Sequence, residues 1–284
     1  MHTQSPATRP APQQSRPRRI TFLVLVILVP LWLLARNVFG LTEVALMWLP
    51  PEALAELLGE QDPDASTADI AAFEAHRSHY FAIGVLSWAA VLPAFAQWRR
   101  PERRVGSMQL LIAIALGSAV VYAFSGTLTE WVVEEGLLVV PIALLAAFHP
   151  RARDLLGPTG FDASMAIGAV VASVPWAVYA VVNSVRQLTA SAGDPHVMPE
   201  HWATAALMGI TLIAAAIIGA SRADGWKLPA WIAVGGTALF AAHSLAYPGA
   251  ASGLGIVWAV LAIAWAAGFA VLVVRRTAHE RATA

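Results

Sequence analysis

Residues 73–100 read FEAHRSHYFAIGVLSWAAVLPAFAQWRR. Between the histidine-rich opening and the arginine pair at the end, residues 78–97 carry no Asp, Glu, Lys or Arg. About 20 apolar residues at about 1.5 Å each are what a helix needs to cross roughly 30 Å of hydrocarbon. A helix on the surface of a soluble protein would show a polar face, and this stretch has none. It predicts a membrane-spanning helix with a basic end at Arg99 and Arg100 and a histidine end at His76 and His79.

Seven further stretches of similar length surround it. They lie at 20–40, 107–125, 131–148, 163–183, 202–220, 229–247 and 253–274. With 58% hydrophobic and 13% charged residues in 284, the chain is far from the soluble norm of about a quarter charged. The expected fold is therefore an all-α integral membrane protein, a bundle of about eight transmembrane helices. Formal net charge is zero, so nothing in the whole chain suggests a nucleic-acid partner; the lipid bilayer is the expected one. The absence of cysteine excludes disulfides, thiolate metal sites and iron–sulfur ligation, leaving imidazole and carboxylate as strong metal ligands.

Residues 1–19, rich in Pro, Gln, Ser and Arg, read as a disordered basic tail, and 277–284 as a short tail at the other end. A secretory signal would also join a basic start to an apolar run, but Trp32, Arg36 and Asn37 stand where small cleavage-site residues would be needed, so the first span reads as retained. Eight spans put 15 of the 18 Lys and Arg residues on one side, leaving Arg36, Arg77 and Arg186 opposite. By the positive-inside rule both termini are expected in the cytoplasm of a cell-membrane protein. The long connection 41–77 then lies outside, with PPEALAELLGE as a short amphipathic helix and a Ser66-x-x-Asp69 capping box before the second span.

A faint internal repeat accompanies this topology. Val29-Pro30 followed by Asn37 in the first span matches Val174-Pro175 followed by Asn183 in the fifth; His79-Tyr80 opens the second span as His201-Trp202 opens the sixth. The pattern suggests two four-helix halves in parallel orientation, a 4+4 repeat.

The same topology gathers ionisable residues at the outer ends of separate spans. His76 and His79 are i, i+3 on one helical face, Glu130 and Glu134 are i, i+4 at the start of the fourth span, His201 opens the sixth, and His243 sits in the outer part of the seventh. Ionisable groups facing lipid are costly, so these side chains are expected to face a shared vestibule. His79, His201, Glu134 and His243, with His76 and Glu130 next, form a candidate site for a divalent metal, zinc or iron. Competing with this is a plainer role as interfacial anchors and hydrogen-bonded helix starts. Arg77 and Arg186 read first as partners of nearby acids and second as anchors for an anionic head group.

The inner halves of the spans carry no ionisable residue, which argues against a proton pump or ion-coupled carrier. Glu134-Glu135 with the later Phe240-x-x-His243 resembles, loosely, the paired-glutamate and histidine motifs of intramembrane CAAX-type proteases. The arginine expected after the glutamates is missing and the Phe–His interval is one residue short, so no activity is carried over. P-loop, GxSxG and HExxH motifs are absent. Two functions remain: a metal-dependent membrane enzyme acting on an apolar or lipid-like substrate, or a non-catalytic protein that binds or transports a lipid, neutral solute or partner protein.

Overall fold

The computed structural model describes residues 15–50, 75–127, 136–157, 159–191, 193–197 and 200–283, together with 52–53, 56–57 and 129. Nine α-helices account for nearly all of it: α1 Arg16–Arg36, α2 Val38–Leu46, α3 Arg77–Ala96, α4 Val105–Phe124, α5 Gly136–Phe148, α6 Ala163–Thr189, α7 His201–Ala220, α8 Lys227–Ala246 and α9 Gly255–Ala282. Seven of them, all but α2 and α5, are long and apolar enough to cross a membrane. The fourth expected span appears as the 13-residue α5; residues 131–135, with Glu134, lie outside the described residues, as does Glu130. The chain is an all-α, multi-pass membrane bundle.

The helix of the first span continues beyond the expected end at Gly40. Asn37 interrupts it, donating its side-chain amide to Leu33 O at 2.8 Å and accepting the Ser87 hydroxyl at 3.0 Å, and α2 then runs on to Leu46. Two glycines permit this. A Cβ at Gly40 would collide with Ser87, and one at Gly84 would collide with Val44, so α2 and α3 approach more closely than any side chain would allow. The amphipathic helix and capping box expected in 50–74 fall almost entirely outside the described residues.

Two helices form the centre. α3 packs on α1, α2, α4, α7 and α8, while α7 packs on α3, α4, α6 and α8. Their small residues explain the position: α7 buries Ala203, Ala205, Ala206, Gly209, Ala215, Ala216 and Gly219, and Gly219 faces Ala230 of α8 so closely that an added Cβ would lie 2.7 Å from the Ala230 Cα. Without a hydrophobic drive between helices in lipid, such close backbone contact is the main source of association. α6 and α9 lie outside this core and turn long rows of Val, Ile and Leu outward, Val170, Val174, Val178, Val257 and Leu261 among them.

The basic end is stitched by charge. Arg151 pairs with Asp154 and with Asp224, while Glu280 accepts from Trp226 Nε1 at 3.0 Å and pairs with Lys227 at 3.0 Å and Arg276 at 3.3 Å. The Arg276 guanidinium covers the Trp226 ring at 3.8 Å, holding the end of α9 against α8.

Candidate functional site

Both central helices begin at the opposite, histidine end, and their first turns lie together. His76 precedes α3 and His79 lies within its first turn; Glu200, in a left-handed conformation at φ 55°, turns the chain into α7 at His201. The segment before α7 adds His196. The imidazole centroids of His76, His79, His196 and His201 lie 4.4–6.4 Å apart in all six pairings. Tyr80 packs on His201 at 5.4 Å and Trp202 closes against His79 at 4.8 Å.

His79 is fully buried, and His76 and His201 nearly so. Hydrogen bonds orient the rings. His79 Nδ1 donates to His201 O at 3.0 Å, leaving Nε2 beside the Ser252 hydroxyl at 3.4 Å. His196 Nδ1 donates to Asp194 Oδ1 at 2.7 Å, and its Nε2 lies 3.3 Å from Ala75 O. His76 Nε2 donates to Pro195 O at 3.3 Å, while His201 Nδ1 is buried with no partner among the described residues. The backbone N–H of His196, at 2.9 Å, holds the Asp194 carboxyl below its usual range, with help from the His196 ring.

A carbonyl or carboxylate on one ring nitrogen, with the other left for a ligand, is how metal-binding histidines are commonly fixed. For tetrahedral zinc with bonds of about 2 Å, ring centroids would stand about 5 Å apart, the spacing of this cluster. The nitrogens themselves are not gathered: among the described residues no three His, Asp or Glu side chains are arranged as ligands around one point. Proximity and residue type suit a metal, while ring orientation suits the hydrogen-bonded network. The N-termini of α3 and α7 carry partial positive charge and so oppose a bare cation; an anionic ligand would offset that cost.

His243 stands elsewhere. Its ring stacks on Phe81 at 4.3 Å and meets Trp48 at 5.7 Å and Tyr247 at 5.0 Å, and neither nitrogen has a partner among the described residues. His79 and Phe81 are two residues apart, about 200° around the helix, so α3 stands between His243 and the four-histidine cluster. Arg77 belongs to the His243 side. Its guanidinium donates to Met47 O and Leu49 O, both at 2.8 Å, and covers Tyr247 at 4.4 Å.

Of the sequence candidates, then, the structure brings together His76, His79 and His201 and sets His243 apart. It adds His196, which the sequence places at the right face in an Asp-x-His turn but on no span, and Ser252, in the connection before α9. Ser252 ties the cluster to α6: its hydroxyl donates to Asn183 Oδ1 at 2.8 Å and its carbonyl accepts from the Tyr179 hydroxyl at 2.9 Å.

Searches with this chain against protein-family models, curated proteins and solved structures find no match.

Proposed function

We propose that this chain is a metal-dependent enzyme of the cell membrane, with both termini in the cytoplasm and a histidine centre at the outer face acting on a lipid-like substrate. The observation that carries the reading is the meeting of four largely buried imidazoles, their ring centroids 4.4–6.4 Å apart, at the N-terminal ends of the two central helices. His76, His79 and His201 are the proposed ligands. His196, already engaged by Asp194, is the fourth ligand or an adjacent proton donor. An all-nitrogen set accepts zinc or iron, and zinc with three histidines and one open position supplies an activated water near neutral pH. The cytoplasmic orientation rests on the 15 basic residues assigned to one side of the bundle.

Protein purified in mild detergent without chelator should hold about one metal per chain by elemental analysis. H79A and H201A should lose it, and H279A, in the last turn of α9 at the basic end, should keep it. A wild-type protein without stoichiometric metal would overturn the reading. In that case the second reading takes its place: the bonds from His76 and His79 to backbone carbonyls, and from His196 to Asp194, would make the cluster a clasp between helix starts in a non-catalytic binding protein.

A further inference from the structure

A cleft of 570 Å³ opens between α6, α8 and α9, lined by Val178, Val182, Trp176, Leu261, Ala262 and Trp265 among others. This volume is within the roughly 300–1,000 Å³ of sites that enclose one ligand. Its rim residues Val174, Val178, Trp258 and Leu261 are all more than half exposed on the outward faces of α6 and α9. In a multi-pass bundle those faces meet hydrocarbon, so the cleft opens sideways into the bilayer.

The histidine end of the cleft changes character. Tyr179, Gly253 and Leu254 close it there, and the residue before Gly253 is Ser252. Ser252 therefore forms the partition between the cleft and the cluster, with its carbonyl held by Tyr179 and its hydroxyl 3.4 Å from His79 Nε2. One turn along α6 from Val182 stands Arg186, its guanidinium 5.0 Å from the centre of the Trp202 ring, the same ring that packs on His79. No carboxylate pairs with Arg186 among the described residues.

We infer that the cleft is the acyl-chain site of an anionic phospholipid, with the chain between α6 and α9 and the phosphate on Arg186 beside the histidine cluster. The apolar lining takes the chain, the lateral opening admits it from the bilayer, and Arg186 supplies the charge complement at head-group level. This names the substrate class of the site proposed above and rests on that reading for its catalytic meaning, but the binding site itself does not need the metal.

The test uses the full chain in phosphatidylcholine nanodiscs and a phosphatidylglycerol carrying a diazirine at the end of one acyl chain. Labelling should saturate, map to residues 171–182 and 258–265, and be displaced by unlabelled phosphatidylglycerol but not by extra phosphatidylcholine. R186Q should weaken it about fivefold, the effect of one basic group at an anionic membrane surface. A262F, which fills the cleft, should abolish it. Metal measured on the same samples should be unchanged in both variants; metal missing from all samples while labelling persists removes the catalytic reading and leaves the lipid site standing. Non-saturable labelling spread equally over the exposed face of α1, unaltered labelling in R186Q and A262F, or displacement by oleate but not by phosphatidylglycerol would each overturn the inference.

Discussion

Replacing Ser252 by Ala tests the connection that joins α6 to the histidine cluster. Ser252 and Asn183 are 5% and 2% exposed, and the Ser252 hydroxyl is 2.8 Å from Asn183 Oδ1. Ala keeps the backbone, including the φ of 59° and the carbonyl that accepts from Tyr179, so the hydroxyl alone is lost. The lost bond is worth about 1 kcal/mol net, and leaving Asn183 Oδ1 without a donor costs a further 1 kcal/mol or so, giving about 2 kcal/mol of destabilisation. N183L alone strands the hydroxyl, which can turn toward His79 Nε2 and so costs less for that group, though it also removes the amide bond to Tyr179 O at 2.8 Å. With both changed, no stranded partner remains, so the double variant should be less destabilised than the sum of the singles by about 1–2 kcal/mol. Reversible unfolding by SDS from a mild detergent, followed by Trp fluorescence, measures all four proteins. Additive effects, or an S252A cost below about 0.5 kcal/mol, would refute the link.

Three further outcomes follow from the helix packing and from two buried histidines outside the cluster. G219A should destabilise by about 1–3 kcal/mol, because its Cβ would meet the Ala230 backbone at 2.7 Å, whereas G235A, with nothing within 4 Å, should be neutral or slightly stabilising in the same unfolding assay. His149, beyond the end of α5, is fully buried, and burial lowers its pKa to about 4. The neutral ring is therefore favoured in the fold: its contribution is complete above about pH 6.5 and is lost as pH falls from there through the folded value, by at most about 1.4 kcal/mol per unit. Wild-type stability should decline across that window more steeply than that of H149L; parallel curves would contradict the assignment. H243L should keep its metal and lose no stability beyond the ring's packing on Phe81, because the imidazole nitrogens have no partner among the described residues and lie across α3 from the cluster; metal loss in this variant would return His243 to the site.

Much of the architecture was legible because lipid imposes one rule on every span: about 20 residues without charge. What escaped the sequence was helix that does not follow that rule. The extension through α2 depends on Gly40 meeting Ser87 and Gly84 meeting Val44, a pairwise fit that no apolar count contains. The site was legible in part for a similar reason. His76 and His79 share a face by spacing alone, and His201 opens a helix at the same level, but depth along the membrane does not say which way a side chain points. Thus His243, at a suitable depth, lies behind α3, while His196 and Ser252 enter from connections whose paths periodicity cannot give. Asp194 beside His196 was the available clue, since a short-range Asx turn fixes the ring that follows it.

The central claim is that His76, His79 and His201, with His196 beside them, hold one metal ion. X-ray absorption at the zinc edge of protein loaded with one equivalent of zinc tests it most directly, since imidazole ligands give a distinct outer-shell scattering pattern. The expected first shell is nitrogen and oxygen only, at about 2.0 Å, with at least three imidazoles, unchanged in H243L, while H79A should not retain the zinc through desalting. A shell without imidazole scattering, or one identical in wild type and H79A, would contradict it.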